Sequence, residues 1–255
     1  MSKYDAFNNI GIDESLDWNR IRKLMIIGIF AACMVLAGDM LLGWGLHDHT
    51  KPGMEGFLSA YLTLPDSRIF WSAFLGLIGI PLEALCYFSV YRLIAPNSRY
   101  YAHLYRTGIL GTLAFAGCGV HVPCLACVFF YKYMAAASPE TAVRDSVRFG
   151  LYFLLPGMIL FFIFWLILHI AQIMAFTKGL TPYPKRAKWF NLIVGMIPAF
   201  ILSGLFGFHT AHGTGIGTMF LSFGNAFMFG GLLAMLPNQE CIDAFEKRFT
   251  DKETI

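Results

Sequence analysis

The sequence predicts an all-α, polytopic membrane bundle of six transmembrane helices with both termini in the cytoplasm. Three observations lead there. Hydrophobic residues make up 57% of the 255 residues and charged residues only 14%, against about 25% charged residues in soluble domains. A bilayer core of about 30 Å needs roughly 20 apolar residues per helix, and six stretches have that length: 24–45, 69–94, 107–131, 148–176, 189–208 and 215–236. Lysines and arginines then divide unevenly between the connecting segments, which sets orientation because cytoplasmic loops hold the excess. Fourteen lie on the side of the two termini and only five (Lys51, Arg68, Lys132, Arg144, Arg148) on the other.

The elements follow in chain order. Residues 1–23 are polar and acid-containing, lack the basic start and cleavage site of a signal peptide, and read as a cytoplasmic tail. The first span ends before Lys51-Pro52-Gly53, the second before Pro96-Asn97, the third before Ser138-Pro139 and the fourth before Thr181-Pro182-Tyr183-Pro184, all turn-forming breaks. Residues 53–64, GMEGFLSAYLTL, are too short to span and read as an interfacial or re-entrant helix. The turn between the last two spans, near His209 to Thr214, is the one break whose boundaries the pattern leaves open. Residues 24–236 thus form the transmembrane domain and 237–255 a cytoplasmic C-terminal tail, a multi-pass arrangement expected in a plasma (inner) membrane.

Composition excludes several classes. A net charge of +3 without Lys/Arg runs gives no surface for nucleic acid. No lysine sits within a span to carry a retinal Schiff base, HGTGIGTM lacks the lysine of a phosphate-binding loop, and G-x-S-x-G is absent. The six cysteines lie mostly in apolar segments, where they pack as small hydrophobes.

Ionisable residues inside spans carry the functional reading, because each costs about 2.5–3.5 kcal/mol at mid-bilayer on insertion scales and is functional by default. Asp39 interrupts LAGDMLLGWGLHDH just inside the outer boundary. Glu83 follows Pro81, a helix kink that can open a cavity. His121 lies among Gly117, Gly119 and Pro123, and Asn225 near the middle of the last span. His209 and His212 sit at the outer mouth, and His169 near Gln172 toward the inner end of the fourth span.

Asp39, Glu83 and His121 are the candidate catalytic residues, a carboxylate acting as general base and His121 as proton shuttle or ligand. Asn225, His209 and His212 are the candidate ligand-binding residues. The Asp39, His121, His209 and His212 set has the residue types that hold a divalent metal such as zinc, although no dense metal signature is present. His47, Asp48 and His49 are adjacent and so poorly placed to meet one ion.

Gly38-Asp39 followed by Met40-Leu41-Leu42 resembles the glycine-aspartate motif of the YhhN-like lysoplasmalogenases, polytopic enzymes that cleave the vinyl-ether bond of lysolipids. What the resemblance implies is confined to Asp39 and a lipid substrate. The reading is therefore an integral membrane protein with an outward-opening polar cavity, a lipid-active hydrolase whose partners are membrane lipids. Two alternatives remain: a proton-coupled carrier in which Asp39, Glu83 and His169 form a relay, and a non-catalytic scaffold whose intramembrane acids only pack helices.

Overall fold

The computed structural model describes residues 16–207, 209–238, 240, 242 and 243, all in helices or their connections. The expected tails, 1–23 and 237–255, fall largely outside the described residues. α1 (Trp18–Gly43) starts where the Asp17 side chain accepts from the Arg20 amide at 2.9 Å, an N-cap that satisfies one of the four amides every helix start leaves open. α2 (Gly53–Leu62) forms at the segment expected to be a short helix. α3 (Asp66–Cys86) and α4 (Phe88–Ile94) together make one apolar length of 29 residues.

α5 (Arg99–Phe115), a π turn (Ala116–His121) and α6 (Val122–Ala137) run on as 39 residues. At about 1.5 Å per residue that is roughly 58 Å, well beyond one bilayer crossing. The excess length is paired: α7 (Pro139–Phe153) folds back along α6. α8 (Leu155–Thr177) then crosses, and a 3₁₀ turn (Lys185–Trp189) leads to α9 (Leu192–Phe206). α10 (Ala211–Thr218) and α11 (Phe220–Ala234) follow, bent by 52° at Met219.

The membrane class is therefore clear, while the count of spans differs from expectation. Among the described residues four helices are long and apolar enough to cross, with a fifth if the bent α10–α11 pair is one span; α9, at 15 residues, is shorter. The expected fourth span, 148–176, begins instead at Leu155. Residues 139–153 form their own amphipathic helix because Glu140, Arg144, Asp145 and Arg148 lie within it and Pro156 suits only the first turn of the next.

Small residues set the packing. α1 lies between α3 and α11, α5 pairs with α8, and α9 packs on the far side of α11. A Cβ on Gly195 would stand 2.8 Å from the Gly224 Cα, so α9 and α11 meet backbone to backbone, as membrane helices do without a hydrophobic drive toward one another. The largest core gathers Tyr87, Tyr105, Leu168, Phe176 and Phe229. It lies toward the end of the bundle bearing Lys178, here the Lys178 end; the opposite one is the Trp44 end.

Candidate functional site: an intramembrane cavity

Between α1, α3, α5, the π turn, α8 and α11 lies a cavity of about 340 Å³. Its walls are mainly apolar, with Val35, Leu42, Ile80, Met158, Phe161 and Phe162 among them, and its polar groups are few: Asp39, Tyr61, Glu83, Tyr87, Thr112, His121, Cys124, Trp165, Thr218, Ser222 and Asn225. Such a pocket, largely apolar with a few placed polar groups, has the make-up of a small-ligand site.

Each polar residue is placed by its helix. Val35, Asp39 and Leu42 are four and three apart, so α1 turns all three to one side. The Asp39 Oδ2 accepts from the Ser222 hydroxyl at 2.6 Å, and the Thr218 hydroxyl donates to the Asp39 carbonyl at 3.2 Å. The bend at Met219 brings Thr218 and Ser222, on two differently directed helices, to the same carboxylate residue. Three residues after Ser222, Asn225 accepts at Oδ1 from the Tyr87 hydroxyl at 2.6 Å. Glu83, buried one turn before Tyr87, lies beside the Asn225 side chain. Its Oε1 has no partner among the described residues. Tyr87 thus pairs with Asn225 and leaves the carboxylate of Glu83 facing the cavity.

His121 ends the π turn, and Ala116 and Val120 from that turn line the cavity with it. A π turn packs one more residue into each hydrogen-bonded ring than an α turn, and such turns recur at functional sites. The His121 Nε2 lies 3.0 Å from the Ser72 carbonyl oxygen. A carbonyl can only accept, so Nε2 carries the proton and Nδ1 is left to accept one. The ring stands where a Gly76 side chain would be.

The structure thus brings Asp39, Glu83, His121 and Asn225 to one cavity and leaves His209 and His212 outside it. His209 stacks edge-on to His49 with ring centres 5.5 Å apart, and His212 does so on Trp44 at 5.3 Å. The His209 turn precedes α10, and α10 packs on the Trp44 end of α1, so both histidines meet the loop beyond Asp39 rather than Asp39 itself. The zinc set is divided by this, and among the described residues no three His, Cys, Asp or Glu side chains converge as metal ligands.

The His47-Asp48-His49 run is divided in the same way. The His47 Nε2 pairs with the Thr214 hydroxyl at 2.8 Å, and Asp48 closes its own turn by accepting from the Thr50 hydroxyl and amide at 2.6 and 3.0 Å. Those two bonds hold the Asp48 carboxyl below its ordinary range. Sequence reasoning weighed Tyr87 as a partner of Glu83, where the structure pairs it with Asn225, and missed Tyr61, Thr112, Trp165, Thr218 and the pairing role of Ser222. The three-residue spacing of Ser222 and Asn225 inside an apolar run was the available signal.

A family model matches residues 7–239, most of the chain. The chain belongs to DUF6796, a family of unknown function. No curated protein and no solved structure matches it. The likeness of Gly38-Asp39 to the lysoplasmalogenase motif gains no support from this match, so the lipid chemistry it implied rests on the cavity alone.

Proposed function

We propose that the chain is a plasma-membrane protein, its termini cytoplasmic, that takes an amphiphilic, lipid-like molecule into this cavity and hydrolyses it by carboxylate chemistry. The observation that carries the reading is the pairing of two carboxylates, Asp39 and Glu83, in one mainly apolar cavity where Glu83 Oε1, Thr112 Oγ1 and Trp165 Nε1 are all buried without protein partners. Polar groups buried this way are costly unless something polar meets them, and a ligand with one polar group on an apolar body does so. Phe162 supports entry from the bilayer: it lines the cavity and is also 38% exposed.

The two carboxylates differ. Asp39 is fixed by Ser222, whereas Glu83 has an oxygen to spare and is the better proton acceptor. Glu83 would take a proton from water as the water oxygen attacks the substrate, and His121 Nδ1 offers a second acceptor. The departing group leaves with a proton returned from the same side chains, so charge is conserved. His209 and His212 stand at the Trp44 end, where this reading makes them guards of the mouth.

The test is a lipid screen with purified wild type, Asp39→Asn and Glu83→Gln in detergent, joined to mass spectrometry of co-purifying lipid. Turnover of an ester or ether lysolipid should fall about 10²-fold or more in Glu83→Gln, the scale of a positioned general base. Equal turnover in all three proteins, with no lipid carried by any, would overturn the reading.

A further inference from the structure

On the Lys178 side of the cavity lies a second group of buried polar side chains that the proposed hydrolysis does not use. His169 is fully buried, and among the described residues neither ring nitrogen makes a close hydrogen bond, the Gln172 side chain being the polar group beside it. Its ring lies 4.8 Å from that of Trp165 and 6.2 Å from that of Tyr87. Both neighbours line the cavity. The Tyr105 hydroxyl and the Gln172 Oε1 are likewise buried and unpartnered.

These groups stand at successive levels. α5 and α8 are antiparallel, with Gly108 against Leu168 and Gly111 against Phe164, which sets Thr112 level with Trp165 and Tyr105 level with Gln172. Glu83 and Thr112 therefore mark the cavity end, His169 the middle, and Gln172 the far end, where its Nε2 donates to the Phe190 carbonyl at 3.2 Å. Residue 190 directly follows the segment of Lys185, Arg186 and Lys188. The titratable group beside His169 is Tyr87 at the α3–α4 joint, its ring 6.2 Å away, and around Tyr87 lie Glu83 and Cys86 of α3 and Tyr105 of α5.

An unsatisfied polar group inside a bilayer costs several kcal/mol, and here six such atoms follow one another along the α5–α8 seam, with Glu83 Oε1 of α3 at the cavity end. They differ in kind. Trp165 Nε1 donates, the Glu83 carboxylate and Gln172 Oε1 accept, and the Thr112 and Tyr105 hydroxyls and the imidazole do both. The glycine contacts leave little room between the two helices, so what satisfies the row is small and both donates and accepts, as water does.

We infer that this row is a hydrated proton path that joins Glu83 in the cavity to the Lys178 end of the bundle, with His169 as its relay. His169 accepts a proton on one ring nitrogen and releases one from the other, and the Glu83 carboxylate ends as the neutral acid. The inference rests on the proposed acid–base role of Glu83, whose protonation it brings into equilibrium with the side that reading makes cytoplasmic.

The test follows the carboxylic-acid stretch of Glu83 by infrared spectroscopy after a rapid pH jump on the purified protein, the band being assigned by its loss in Glu83→Gln. In His169→Phe, and separately in Gln172→Met, the band should reach its wild-type amplitude about 10²-fold more slowly, the scale of losing one positioned proton-transfer group. Gln172→Met keeps the test open if the phenylalanine variant fails to fold. Wild-type rates in both variants would overturn the path. No lipid enters this measurement, so a failed hydrolase reading and a failed path give different results.

Discussion

Asp39 is the residue the sequence marks most clearly, and its surroundings explain both why it is tolerated and what was hidden. An acid in an apolar run was legible as a buried functional group, but its partner lies 183 residues away, where Ser222 looked only like one more small polar residue. Pairing at that separation depends on the bend at Met219, which no local pattern announces. Asp39→Asn keeps an oxygen for the Ser222 hydroxyl and should retain the fold, while Asp39→Ala strands that hydroxyl and should cost about 1–3 kcal/mol. Thermal unfolding in detergent separates the two; equal melting of both variants would contradict the bond. Glycine 76 allows a sharper comparison. A methyl group there collides with the His121 ring, whereas one on Gly230 meets nothing within 4 Å. Gly76→Ala should destabilise by about 1–3 kcal/mol, as overpacking does, and Gly230→Ala should be neutral or slightly stabilising by about 0.4–1 kcal/mol. Denaturation curves for the pair check this directly.

At the scale of elements, apolar length located α1, α3–α4, α8 and α11 because each needs only an uninterrupted run. It failed where two helices share one run. After Arg148, residues 149–153 run on into the apolar helix that follows, so nothing but Leu154-Leu155-Pro156 marks the joint, and the fold-back along α6 is a tertiary fact. The π turn is a second such case: AGCGVH carries no signature, and only the close approach of Gly119 to Gly157 reveals why the backbone widens there. A single π turn holds one residue more than the α-helix around it needs, so removing one residue from it restores an α turn without rotating α6. Deletion of Cys118, which is exposed, should therefore leave a folded, monodisperse protein, while deletion of Leu110 from α5 rotates everything after it by about 100° and should abolish folding. Size-exclusion chromatography and circular dichroism decide between them, and equal behaviour of the two deletions would mean that the turn is not the spare residue.

For the whole molecule, the number of crossings fixes which side each terminus occupies, and α9 decides the number. Its 15 residues give about 22 Å, short of the roughly 30 Å of a bilayer core, so by length alone the chain crosses five times and its termini part company. Packing argues for a sixth. α9 runs beside α11 from Leu192, which packs with Phe161 and Trp165 of α8, to Ser203, whose hydroxyl donates to the Gly213 carbonyl of α10. α10 in turn meets the Trp44 end of α1. One end of α9 is thus joined to the opposite end of the bundle from Lys178, while Lys185, Arg186 and Lys188 precede its other end with Trp189 exposed beside them, an aromatic and basic anchor of the kind found at the interface. A short helix anchored so crosses by thinning the bilayer locally, at fractions of a kcal/mol per Å, far less than burying three cations. Six crossings, as we propose, would put both termini on the lysine- and arginine-rich side. In a background with the native cysteines replaced, Lys3→Cys and Thr250→Cys should both resist an impermeant maleimide in intact cells and both react after permeabilisation, whereas Leu46→Cys, in the exposed loop after α1, should react in both. Labelling of one terminal cysteine and not the other in intact cells would place α9 within one leaflet and reduce the crossings to five.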